Sequence, residues 1–122
     1  MLKFCSLYSG SSGNSSLVQS KNINILIDAG VSGKKIVDAL ASINVGIENI
    51  SAILITHEHI DHTQSIATLS KKYNIPVIDL QPVFDDACKK AAPDYWTLDG
   101  VHPSLAGHNL IKNLWIKEFE KL

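Results

Sequence analysis

The chain has 122 residues, 45% of them hydrophobic and 19% charged, the balance of one ordinary globular domain rather than of a disordered chain. Eleven basic residues against twelve acidic ones leave a formal charge of −1, which excludes a global basic field drawing the chain onto nucleic acid or an anionic membrane. Two distant cysteines, Cys5 and Cys88, exclude a dense disulfide framework and point to a reducing, cytoplasmic setting.

No apolar run approaches the ~20 residues of a membrane span. The N-terminus lacks a basic stretch followed by a long apolar one, so no signal peptide is expected. In chain order, Leu2 to Tyr8 reads as a strand, interrupted by the small polar run Ser9 to Ser16. Ser16 to Gln19 resumes extended structure, and Asn24 to Asp28 forms the next strand after a turn at Lys21-Asn22. Together they predict an antiparallel meander. Ile36, Val37, Leu40, Ala41 and Ile43 then recur at helical spacing, with Ser32 as N-cap and Gly46 closing the element. Ile50 to Ile55 is a continuous apolar run, as in a strand buried on both faces.

A second helix is predicted from about Thr63 to Tyr73, ending at Asn74, and a further strand over Ile75 to Leu80. Strand, helix, strand, helix, strand is the pattern of two crossover units in a mainly parallel sheet. Beyond it come a short helix over Val83 to Lys90, a Pro- and Gly-bearing loop and a last amphipathic helix from about Ser104 to Lys121. Leu110, Ile111, Leu114, Trp115 and Phe119 form its predicted buried stripe. The fold class is therefore α/β, as one domain: a mixed, mainly parallel sheet with an N-terminal meander, helices packed on it and a C-terminal amphipathic helix. Trp96 is expected to pack over its loop, Trp115 in the core, and Cys88 to be buried or half-buried.

The strongest chemical signal is His57-Glu58-His59-Ile60-Asp61-His62, which follows directly on a buried strand. Alternate residues of an extended stretch point the same way, so His57 and His59 can offer two imidazoles to one point. Asp61 and His62 fall where the chain turns into a helix. Neutral imidazole and carboxylate suit zinc, and also manganese or iron. Glu58 should point away from its neighbours, to the surface.

This stretch resembles the H-x-H-x-D-H signature of metallo-β-lactamase-fold hydrolases. Leu26 to Gly30 resembles that family's strand and turn ahead of the metal loop, and Ser9 to Ser15 the opening turn of a nuclease-like branch. The resemblance spans residues 1–78. It implies that His57 and His59 hold a first metal, Asp61 and His62 a second, Zn or Mn, with Asp28 supporting the loop from behind. It also implies a hydroxide acting on a phosphodiester or other ester bond. Nucleic acid enters as substrate only through this resemblance. The family's further ligands come from later segments that have no match here, so each metal has two protein ligands unless His102, His108 or a second subunit adds one.

Asp99 and His102, three residues apart on a turn, form a possible orienter and base for a serine. Pro76 to Leu80, Tyr95 to Pro103 and Ala106 to His108 resemble the C-terminal block of SGNH/GDSL-type esterases, over residues 75–122. That resemblance makes His102 the general base and Asp99 its partner. The family's nucleophile block has no counterpart; Ser11, Ser12 and Ser15 lie in the loop after the first strand, with Asn14 among them. Taken together the motifs describe a hybrid, truncated metallo-hydrolase with a partial dinuclear site and weak activity at most. An inert chimeric scaffold and a serine esterase are the alternatives. An edge strand or an uncovered apolar face also leaves room for a homo-oligomer.

Overall fold

In the computed structural model, residues 1–100 and 102–122 are described. The chain divides into two compact units, Met1–Ile78 and Asp79–Leu122.

The first unit is built on the sheet. Strand β1 (Lys3–Tyr8) pairs antiparallel with β2 (Ser15–Gln19), and β2 with β3 (Asn24–Ile27). The expected turn at Lys21-Asn22 is closed by Ser20 N donating to Ile23 O at 2.8 Å. β3 then pairs parallel with β4 (Ala52–Ile55), and β5 (Val77–Asp79) lies beside β4, giving the order β1-β2-β3-β4-β5. The α/β class, the meander and the mixed sheet follow the sequence expectation. Register explains the core: Cys5, Leu17, Leu26 and Ile53 align across four strands, so they share one face. Against that row pack Ile36 and Leu40 of helix α1 (Gly33–Ser42) and Ile66 and Leu69 of α3 (Ile66–Tyr73).

Ser32 caps α1 as predicted, its hydroxyl accepting from Lys35 N at 3.3 Å. The helix stops before Gly46, however. Asn44 adopts a left-handed conformation (φ 60°), and Val45 N returns to Leu40 O at 2.9 Å. An asparagine does here what sequence reading assigned to the glycine. On the exposed face of α1, Lys34 meets Asp38 at 2.8 Å; the hydrogen bond and the charge of Asp38 raise the lysine pKa.

The helix predicted over Thr63 to Tyr73 begins at Ile66 as α3, and a separate single turn, α2 (Ile60–Thr63), precedes it. Buried Ser65 causes the break. Its N–H and its hydroxyl both donate to Ala29 O, at 3.0 and 3.2 Å. That tertiary contact outweighs local helical preference and turns the chain. Asn74 ends α3 with φ 54°, as expected.

The second unit holds α4 (Gln81–Ala87), α5 (Pro93–Trp96) and α6 (Leu105–Phe119). Ser104 caps α6, accepting from Gly107 N at 3.2 Å and donating to Tyr95 O at 2.7 Å. A Cβ on Gly107 would lie 2.2 Å from Trp96 O, so only glycine allows this approach of α6 to α5. The predicted buried stripe of α6 is not realised: Leu110, Ile111, Leu114 and Trp115 are half-buried and Phe119 is exposed. Trp115 lies against Phe119, with ring centroids 5.6 Å apart, rather than in a closed core. Trp96 does pack over its loop, donating to Ala87 O and Ala91 O. Cys88 is exposed, against expectation, and both cysteines are free. Among the described residues no helix is long and apolar enough to cross a membrane.

Candidate metal centre

Asp28 is the anchor. It lies just after β3, 4% exposed, in a left-handed conformation (φ 63°) that aspartate tolerates better than most residues. Ser15, also buried, donates its hydroxyl to Asp28 O at 2.8 Å. The carboxylate is fully engaged: Oδ1 accepts from Thr56 N at 2.8 Å, and Oδ2 accepts from Thr56 Oγ1 and from His62 Nδ1, both at 2.6 Å. A buried carboxylate requires such partners.

These bonds fix two tautomers. A carboxylate only accepts, so His62 Nδ1 carries the proton and, in the neutral ring, Nε2 is an acceptor. Thr56 gives its one hydroxyl hydrogen to Asp28, so His57 Nδ1, 2.9 Å from Thr56 Oγ1, must donate to it. His57 therefore also presents Nε2 as a lone pair. One buried carboxylate sets both rings, the first directly and the second through a threonine.

Ring centroids of His57 and His62 lie 4.0 Å apart, and those of His57 and His59 lie 4.6 Å apart. His57 and His59 are exposed at the end of β4, while Asp61 and His62 on α2 are half-buried. His62 Nε2 and Asp61 Oδ2 are 3.4 Å apart, about the separation of two ligands each ~2.1 Å from one tetrahedral ion. Glu58 is exposed, as expected. Among the described residues, no three His, Cys, Asp or Glu side chains close on one cation position. The donors fit a divalent cation by kind and, in this pair, by spacing, but as pairs rather than as a triad.

Two loops hold the centre, the run Ser9 to Ser16 and the turn after β3, both marked in the sequence by resemblance but without these backbone contacts. Asn14 N donates to Asp61 O at 2.7 Å, Ala29 N to His62 O at 2.8 Å, and Gly30 N to Asn14 O at 2.9 Å. A Cβ on Gly30 would sit 1.6 Å from Asp61 O, so this crossing of backbones requires glycine. Thr56, the residue between the buried strand and His57, was the readable signal for the relay to that ring.

Asp99 and His102 form their predicted pair in the second unit. Asp99 Oδ1 accepts from His102 N at 2.7 Å and Oδ2 faces His102 Nδ1 at 2.6 Å. The turn is closed by Leu98 N to His102 O at 2.8 Å and by Gly100 at φ 83°; Val101 lies outside the described residues. Both side chains are largely exposed. Of the loop hydroxyls, Ser15 is already committed to Asp28 O, while Ser11 and Ser12 are exposed.

Residues 8–117 match the family model of the metallo-beta-lactamase superfamily. The chain belongs to that superfamily. It is 49% identical over 73 residues to the exodeoxyribonuclease WalJ of Streptococcus pneumoniae (strain D39), covering 60% of this chain and 27% of the relative. It is 41% identical over 76 residues to the exodeoxyribonuclease YycJ of Bacillus anthracis, covering 62% and 29%. The match thus spans between a quarter and a third of these relatives' length. Among solved structures, the Rm3 metallo-beta-lactamase is 34% identical with a TM-score of 0.53, over 61% of this chain and 28% of that one. MEM-A1, a subclass B3 metallo-beta-lactamase from a soil metagenome library, is 28% identical with a TM-score of 0.51, over 61% and 28%. No comparison supports an SGNH/GDSL component; the superfamily match runs on through most of the segment that resembled one.

Proposed function

We propose that this chain carries the metal-loop portion of a metal-dependent hydrolase acting on phosphodiester bonds of nucleic acid. His57 and His59 would hold one divalent cation, Zn or Mn, and Asp61 and His62 a second. A bound cation supplies Lewis-acid polarisation of the ester and lowers the pKa of water. The residues of this chain do the rest. Asp28 orients His62 directly and His57 through Thr56, leaving both Nε2 atoms without a proton. The backbone bonds from Asn14 and Ala29 keep Asp61 and His62 side by side.

The observation that carries this reading is the Asp28 network, which commits both imidazoles to the tautomer a metal requires. The exodeoxyribonuclease relatives favour DNA as the substrate class. Catalytic zinc sites use three protein ligands, and each pair here offers two, so binding is weak and turnover slow. Calorimetric titration with ZnCl2 or MnCl2, paired with digestion of linear DNA, tests the reading. Micromolar binding in the parent, with the His57 and His59 ion lost in the His57→Ala/His59→Ala double variant, is expected. A parent chain that binds neither ion leaves a folded scaffold without this chemistry.

A further inference from the structure

The Asn14 side chain occupies an unusual place. Its Oδ1 accepts from Gly10 N at 3.1 Å and its Nδ2 donates to Gly10 O at 2.8 Å. These two bonds fix which end of the amide is which, because Gly10 N–H only donates and its C=O only accepts. A flip would oppose donor to donor and acceptor to acceptor. The second Nδ2 hydrogen is therefore directed into the metal centre. There Nδ2 lies 3.2 Å from Asp61 Oδ2 and 3.3 Å from His62 Nε2, and 3.4 Å from Asp61 O.

His62 Nε2 has one lone pair, since Nδ1 holds the proton against Asp28. That lone pair can accept from Asn14 or bind a cation, and cannot do both. Asn14 cannot instead become a ligand, because Gly10 holds its oxygen away. We propose that Asn14 stands in for the cation, its remaining amide hydrogen shared between Asp61 Oδ2 and His62 Nε2 until a divalent ion displaces it. The proposal rests on the reading of Asp61 and His62 as a cation-binding pair.

The consequence has an unusual sign. The Asp61 backbone and the His62 ring are held by bonds that do not involve the Asn14 side chain. Asn14 N to Asp61 O, Ala29 N to His62 O and the Asp28 bond to His62 all survive its truncation. Asn14→Ala thus removes a competitor while leaving the ligands in place. A neutral hydrogen bond is worth a net ~1 kcal/mol, so zinc affinity should rise about three- to tenfold. The cation-free protein should melt lower, having lost a donor to two half-buried acceptors. An ordinary structural role would lower both.

The test uses the full chain, the Asn14→Ala variant and zinc in competition with a chelating dye, with thermal melts of the cation-free proteins. Tighter zinc binding with a lower melting temperature supports the proposal. Equal or weaker binding by a variant with a parent-like circular dichroism spectrum overturns it. Should Asn14→Ala not fold, the 15N spectrum of the parent decides. At saturating zinc the Asn14 side-chain amide must move while the Gly30 backbone amide stays, and an unmoved side-chain amide overturns the proposal. If neither protein takes up zinc and the parent spectrum does not change, the reading of the metal pair itself fails and this proposal fails with it.

Discussion

Asp28 gathers more of the centre than any of the ligands it supports. Its carboxylate accepts three hydrogen bonds and its carbonyl a fourth. Asp28→Asn keeps the shape and tolerates the left-handed backbone, but removes the charge and cannot accept from Thr56 N, Thr56 Oγ1 and His62 Nδ1 together, since one oxygen becomes an NH2. Loss of charge-assisted bonds to buried partners should cost about 2–3 kcal/mol, read as the shift in a urea melt. With His62 a zinc ligand as proposed, loss of the bond that orients its imidazole should lower zinc affinity about 10–100-fold. A variant that melts lower but binds zinc as the parent does would separate Asp28 from the metal chemistry.

At the scale of elements, caps and breaks decide where secondary structure ends. Ser32 caps the ten-residue α1 through Lys35 N, and Ser32→Ala should destabilise the first unit by about 1 kcal/mol. An unchanged denaturation midpoint would show that packing of Ile36 and Leu40 alone sets this end. The strands, α1 and the H-x-H-x-D-H loop were legible because each carries its own local signal: a strand-length apolar run, a 3.6-residue period, ligand-type residues at fixed spacing. Asn14, Ser15, Thr56 and Gly30 were not read as parts of the centre. Their roles are contacts across 13 to 47 positions of chain, and no short-range pattern marks such partners. The division of α2 from α3 has the same origin, since Ser65 turns toward Ala29 rather than continuing the helix. The α6 stripe misled for the opposite reason. Its period is helical, but Leu105, Ile116 and Phe119 fall together on the side away from Leu110 and Leu114 and are exposed, so the apolar residues are not confined to one face.

Across the whole molecule, apolar burial is uneven. Every fully buried large side chain, from Leu17 to Leu69, lies in the first unit, whereas in the second only Ala87 is a buried hydrophobic residue among those described. Opening free energy follows buried apolar packing. Hydrogen exchange should therefore be slowest at Leu17, Leu26 and Ile53 and faster throughout α4, α5 and α6. Protection in α6 equal to that of β3 would contradict this distribution. The division at Ile78 falls within the strand where the two family resemblances overlap, yet the superfamily match crosses it. What distinguishes the two halves physically is the core one of them has and the other lacks.

The central claim is that His57, His59, Asp61 and His62 hold divalent cations. Anomalous diffraction at the zinc edge, from crystals grown with ZnCl2, addresses it most directly. A peak is expected about 2.0–2.2 Å from His62 Nε2 and Asp61 Oδ2, with His57 and His59 turned toward a second peak or sharing the first. A map with zinc bound elsewhere, and none among these four side chains, would contradict it.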